Sequence, residues 1–148
     1  MPLHRDLVDE ILRITRRRLI THPDAILENS AFNLLWILSD GTPRTLRQLA
    51  DATHLEQSTV NRQVNAAIKH GYLERFVMQG AVSGLIRPTD KGRSVLEHDA
   101  LLCVRRLESA LSDMAGGTPE VLLAQLHAFN EAYDRAIASE TQNRAHRE

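Results

Sequence analysis

The sequence is poor in several features that would point to a particular kind of protein. Its 148 residues include one cysteine and one tryptophan, and aromatic residues make up 4%. A single cysteine excludes an internal disulfide, which suits a reducing compartment. No apolar run reaches the length of roughly 18 residues that a membrane-spanning helix needs. The first residues, Met1 to Asp6, lack the apolar core of a secretory signal peptide, so we expect a cytoplasmic protein.

Motifs for catalysis and metal binding are also missing. The seven histidines form no His-x-x-x-His pair and no cluster with Cys103, so we predict no metal site. The sequence has no glycine-rich phosphate loop, no nucleophile elbow and no paired carboxylates on a pocket-forming scaffold. We therefore predict neither an enzyme nor a cofactor. Cys103 lies on an apolar stripe, which favours a buried structural thiol over a redox sensor.

Charge is unevenly distributed along the chain, although the net charge is only −1. Between Gly41 and Arg93, eight basic and four acidic residues give +4, and the remainder carries −5. A basic middle segment can mark a nucleic-acid contact, although chance variation could produce the same imbalance.

Apolar residues recur at helical spacing in six segments. Thr45-Leu46-Arg47-Gln48 has the pattern of a capping box. Pro119, preceded by Thr118 and followed by Glu120, is typical of a first helical position. The predicted helices cover about 3–20, 28–39, a short segment from Thr45, 57–70, 89–115 and a segment from Pro119.

Between the fourth and fifth helices the apolar period changes from about 3.6 to about 2. Gly71 stands where a helix C-cap is expected. Residues 73–78 and 85–87 are predicted strands, joined by the hairpin tip, Gln79–Gly84, which carries no charge.

Four short motifs accompany this order of elements: Leu49-Ala50, Asn61-Arg62-Gln63-Val64-Asn65, Gly71-Tyr72-Leu73-Glu74-Arg75 and Thr89-Asp90-Lys91-Gly92. Together they resemble the MarR family of winged helix-turn-helix transcriptional regulators. The resemblance implies a mainly α fold with a small β-hairpin, that is, a winged helix-turn-helix with helical dimerisation extensions. It assigns 41–88 to DNA binding, and 1–40 with 89–148 to dimerisation.

The hairpin tip departs from the family pattern, which usually places an Asp and an Arg there to reach the minor groove. Pro88 also stands where an apolar residue is usual before Thr89. The resemblance therefore implies less for the hairpin than for the helices.

The predicted helix 57–70 has an exposed face that could contact base edges in a major groove. Arg62 could bind guanine through two hydrogen bonds, and Asn61 or Asn65 could pair with adenine. The alternative interpretation is an ordinary solvated helix face. The polar face consists of Ser58, Thr59, Asn61, Arg62 and Asn65.

Five further residues complete the predicted DNA-binding set. Arg44, Thr45 and Arg47 lie at the start of the preceding helix, where cations and backbone N–H groups suit phosphate. Arg75 and Arg87 lie on the two predicted strands, and Arg87, at the base of the hairpin, is expected to contact a phosphate rather than a base.

The first helix and the last two carry more apolar surface than a lone winged-helix unit needs. Coiled-coil-like spacing favours a homodimer over packing within one subunit. The predicted dimerisation residues are Leu7, Ile11, Leu122, Leu126, Phe129, Tyr133 and Ile137.

A small effector is a further expected partner, with an anionic aromatic compound as one candidate. Arg17 or His22 beside Trp36 could line its pocket. The other interpretation of the basic run at 16–18 is a solvated helix end, where cations complement the helix dipole.

These observations predict a sequence-specific regulator of double-stranded DNA, in particular a ligand-responsive repressor acting as a homodimer on a pseudo-palindromic operator. The alternative is a winged-helix protein-interaction module that has lost DNA binding, and the uncharged hairpin tip favours it. Neither function requires a membrane or a cofactor.

Overall fold

The computed structural model describes residues 2–17, 22–80 and 82–145. Within these residues the chain forms six helices and one antiparallel hairpin, which confirms the predicted fold class. No helix among them is both long and apolar enough to cross a membrane. The elements are α1 (Pro2–Arg16), α2 (Asn29–Leu38), α3 (Leu46–Thr53), α4 (Gln57–Lys69), β1 (Leu73–Phe76), β2 (Leu85–Pro88), α5 (Asp90–Asp113) and α6 (Pro119–Ala145).

Most element ends lie within one or two residues of their predicted positions. Thr45 caps α3, because its Oγ1 accepts from the N–H of Gln48 at 3.2 Å while Gln48 Oε1 accepts from the N–H of Thr45 at 2.9 Å. The predicted capping box is therefore confirmed. The predicted end of the first helix, 18–20, lies outside the described residues.

The chain divides into two compact units, Met1–Arg105 and Arg106–Glu148. In the first unit α2, α3 and α4 pack against one another, and β1 and β2 close the same core. Apolar burial of this kind is the dominant favourable contribution to folding. The largest side chains in the core that are fully buried are Leu34, Leu35, Leu38, Leu49, Val60, Val64, Leu73 and Ile86.

The hairpin is attached to the start of α3 by a backbone bridge. Its strands pair from Leu73 opposite Pro88 to Phe76 opposite Leu85. Arg44 N–H donates to Ile86 O at 3.1 Å, and Ile86 N–H donates to Arg44 O at 2.8 Å. This bridge fixes the hairpin relative to the start of α3.

The start of α5 packs closely against the base of the hairpin. Gly92 lies so near the carbonyl oxygen of Tyr72 that a Cβ there would collide with it. Thr89 Oγ1 donates to Gly71 O and accepts from the N–H of Gly92. The Thr89-x-x-Gly92 motif therefore has a packing function.

Asp99 joins α5 to the loop before α2. Its side chain is fully buried and accepts from the N–H groups of Ile26 at 3.1 Å and Leu27 at 2.7 Å. Burial alone would raise the pKa of Asp99, but hydrogen bonds from His98, Leu27 and Ile26 more than offset burial and lower it. Asp99 is thus a charged group whose partners stabilise it in the core.

Candidate nucleic-acid interface

α3 and α4 form the helix-turn-helix, with His54 in the left-handed conformation at φ 54° between them. Val60, Val64 and Ala67 are buried on one face of α4. At roughly 100° per residue, Ser58, Arg62 and Asn65 project from the opposite face, while Asn61 lies at its edge and is half-buried. Thr59, also predicted as a DNA contact, lies to one side of this face and is half-buried.

Asn61 and Asn65 are connected to the hairpin by Arg75. The Nη2 group of Arg75 donates to Oδ1 of Asn61 and to Oδ1 of Asn65, each at 2.9 Å. The structure therefore brings three of the predicted site residues into contact. No local signal in the sequence indicated this, because the contacts span 14 and 10 residues.

The predicted cations differ in whether a carboxylate neutralises them. Arg44 pairs with Asp40, and Arg87 pairs with Glu74, each at 2.6 Å. Arg87 also lies over the ring of Phe76, 4.3 Å from its centroid.

In contrast, three cations form no ion pair with a carboxylate among the described residues: Arg47, Arg62 and Arg75. Arg47 and Arg62 are exposed, and Arg75 lies beside α4. Positive charge is thus available on α3, α4 and β1, and Arg75 brings it to the polar face of α4. Such a surface attracts phosphate.

Arg44 is held closely by the turn between α2 and α3. Its Nη1 donates to Ile37 O at 2.7 Å, and its Nη2 to Asp40 Oδ2 at 2.6 Å. The hydrogen bond from Arg44, followed by one from the N–H of Thr42, lowers the pKa of Asp40 from 3.8 to about 2. A phosphate contact by Arg44 stays a prediction, and it would compete with these partners.

The three predicted effector residues belong to the first unit. Arg17 follows α1, and His22 Nδ1 accepts from the N–H of Asp24 at 3.1 Å. Trp36 is 56% exposed and stacks on Phe32.

A pocket of about 220 Å³ lies at the C-terminal end of α2. It does not include the three predicted effector residues. Its lining includes Leu38, Thr42, Pro88, Arg93 and Leu96.

The predicted dimerisation residues are largely exposed. In the first unit, α1 buries no residue, and Leu7 and Ile11 are open to solvent. In the second unit, Phe129 and Tyr133 stack at 5.7 Å on α6, and both stay exposed. The other exposed members are Leu126 and Ile137, while Leu122 is half-buried.

Residues 27–77 match a family model described as MarR family. The predicted resemblance to the MarR family is thus confirmed. The matched MarR segment extends from Leu27, in the loop held by Asp99, through α4 to just past the end of β1. It therefore contains the whole helix-turn-helix. No curated protein sequence matches this chain.

Several solved structures share the MarR-type fold. The transcriptional regulator BldR from Sulfolobus solfataricus has a TM-score of 0.70 at 21% identity, covering 88% of this chain and 94% of its own. MarR from E. coli, in its apo form, has a TM-score of 0.68 at 16% identity, covering 89% and 97%. BpsR from Bordetella bronchiseptica, whose DNA binding is regulated by 6-hydroxynicotinic acid, has a TM-score of 0.66 at 22% identity, covering 86% and 93%.

Proposed function

We propose that this chain is a sequence-specific DNA-binding repressor whose α4 enters the major groove. The observation that carries the proposal is the polar face of α4, which includes Arg62 and is hydrogen-bonded by Arg75, two cations that no described carboxylate neutralises. Ser58, Asn61, Arg62 and Asn65 offer hydrogen-bonding groups to base edges, while Arg47 and Arg75 suit phosphate. A DNA-binding regulator of this kind acts in the cytoplasm and is not an enzyme.

The repressor acts as a homodimer on a pseudo-palindromic operator. The homodimer is supported by the exposed apolar surfaces of α1 and of α6, which a monomer would leave in contact with water. In this proposal 41–88 contacts DNA, while 1–40 and 89–148 contribute the dimerisation surfaces. α2, within 1–40, also supplies the core beneath the helix-turn-helix.

A small effector controls DNA binding. BpsR, which shares the fold, is regulated by a small aromatic acid. In this chain the pocket offers an apolar wall from Leu38 and Leu96, together with Arg93, which pairs with Asp90, and the carboxylate of Glu97. Arg17, His22 and Trp36 stay an alternative position for the effector.

A second candidate function is a winged-helix module that binds a protein partner. The observation in its favour is the apolar character of the hairpin near its tip. Val77, Met78 and Val82 are all exposed, and Val82 is completely so. Exposed apolar side chains of this kind occur in protein interfaces.

Selection from a library of random duplex DNA at one fixed salt concentration tests the proposal. The repressor predicts enrichment of a two-fold symmetric motif. If the protein enriched no motif, and bound duplex DNA no better than an unrelated polyanion, the repressor proposal would be wrong and the protein-interaction module would be favoured.

A further inference from the structure

Arg75 holds two amides of α4 in the same way. Asn61 and Asn65 are one helical turn apart, and in both it is Oδ1 that faces the guanidinium, at 2.9 Å. A single nitrogen, Nη2, supplies both hydrogen bonds. Among the described residues no carboxylate pairs with Arg75, so its charge acts on the two amide oxygens.

The orientation of each amide determines what it can offer to DNA. An amide group is planar, with its oxygen and its NH₂ on opposite sides of the carbon. When Oδ1 faces Arg75, the NH₂ therefore faces away from Arg75. Rotating either amide by half a turn would place donor against donor and lose a charge-assisted hydrogen bond.

This orientation suits the bidentate pairing to adenine that the sequence suggested less well than it suits donation by the NH₂ group. That pairing requires the same amide to accept from the adenine N6 amino group and to donate to N7. In Asn61 and Asn65 the oxygen already accepts from Arg75. Each oxygen keeps a second lone pair but is held towards Arg75, so the group that each amide presents away from Arg75 is its NH₂ donor. To such a donor guanine offers two acceptors, N7 and O6, and thymine offers O4, whereas adenine offers N7 beside a donor, its N6 amino group.

We propose that Arg75 is a positioning residue that sets base preference through Asn61 and Asn65. It holds both amides as donors, so that α4 selects guanine or thymine acceptor edges and rejects bidentate adenine recognition. One helical turn, about 5.4 Å, covers one to two base steps of about 3.4 Å. The two amides therefore act on neighbouring or next-neighbouring base pairs. This inference rests on the proposed function.

The test compares Arg75→Met with the matched variant Arg47→Met. Both substitutions remove an exposed or partly exposed cation, but Arg47 forms no hydrogen bond with Asn61 or Asn65 among the described contacts. The wild-type motif is first obtained by selection. Each variant is then titrated, at one fixed salt concentration, with duplexes carrying each of the four bases at every position of a half-site.

Arg75→Met is expected to reduce the preference for guanine or thymine over adenine at least tenfold at one or two positions. Arg47→Met is expected to weaken binding to all duplexes alike and to leave every base preference unchanged. A purely structural or phosphate-binding role for Arg75 would also weaken all duplexes alike.

Asn65→Asp gives an independent test that keeps the contact with Arg75. An aspartate offers Arg75 an acceptor but has no NH₂, and it can accept from the N4 amino group of cytosine. The variant is expected to change the preferred base at one position towards cytosine. This test applies even if circular dichroism shows that Arg75→Met does not fold.

Two results would overturn the inference while leaving the proposed function intact. In the first, the wild-type protein selects a motif, but Arg75→Met, like Arg47→Met, weakens binding to all duplexes by the same factor and changes no base preference. The other is an Asn65→Asp variant that keeps the wild-type base preference at every position. If the wild-type protein enriched no motif, the proposed function would fail, and the inference with it.

Discussion

The eight basic side chains between Gly41 and Arg93 are not equally free to contact a phosphate. Arg44, Arg87 and Arg93 each pair with a carboxylate within 3.0 Å. Arg47 and Arg62 have no such partner among the described ion pairs. A charge count treats these residues alike, whereas in the structure some of them are neutralised by a neighbouring carboxylate and others, including Arg75 on β1, are not.

Arg62 and Arg47 should therefore contribute to DNA binding in different ways. Arg62→Ala is expected to cost about 1–3 kcal/mol at one base position and to relax specificity there, because Arg62 projects from the polar face of α4. Arg47→Ala should weaken binding to every sequence and reduce the slope of affinity against salt, because Arg47 is proposed to contact phosphate. Titrations of operator and random duplexes at several salt concentrations measure both effects.

The same titrations test whether Arg62 contacts a base. If Arg62→Ala left the ratio of operator to random affinity unchanged, the assignment would be wrong.

At the scale of elements, the turn between α2 and α3 is stabilised by the ion pair of Asp40 with Arg44. The hydrogen bond from Arg44, with a further one from Thr42, lowers the pKa of Asp40 to about 2 in the folded protein. A carboxyl whose pKa is lower in the folded state stabilises that state above its unfolded pKa. The stabilisation is lost as the pH falls through the folded value.

Asp40→Asn should therefore lower the free energy of unfolding at pH 7. The difference from wild type should shrink as the pH falls from about 4 towards 2. Urea denaturation at several pH values measures this. Asp90→Asn is the control, because Asp90 is fully exposed in its pair with Arg93 and should have less effect at pH 7. An Asp40→Asn variant as stable as wild type at pH 7 would contradict the role given to this pair.

Features that depend on residues close together in the sequence could be predicted from it. Contacts between residues far apart in the sequence could not. The capping box needs only Thr45 and Gln48, three residues apart, and it was predicted with both partners. The link from Arg75 to Asn61 and the link from Asp99 to Leu27 span 14 and 72 residues. Their existence depends on how the helices and strands pack, which periodicity and turn signals do not specify.

At the scale of the molecule, the exposed apolar surface of α1 and α6 predicts a constitutive homodimer. Light scattering at micromolar concentration should give about twice the chain mass of 16.7 kDa. Phe129→Asp should weaken the dimer, because it places a charge among exposed apolar residues of α6. Asn130→Asp adds the same charge at the neighbouring, exposed polar position and should leave the dimer intact. A monomeric wild-type protein would contradict the prediction.

The most direct test of the whole account is a hydroxyl-radical footprint on the DNA sequence that selection yields. A symmetric dimer with one α4 per subunit should protect two equivalent patches, about one helical turn or roughly 34 Å apart. Combining Arg47→Ala with Arg62→Ala should remove both patches together, since the two subunits are identical. Protection of a single half-site, or a footprint that the double variant leaves unchanged, would contradict the proposal that a homodimer binds its operator through α4.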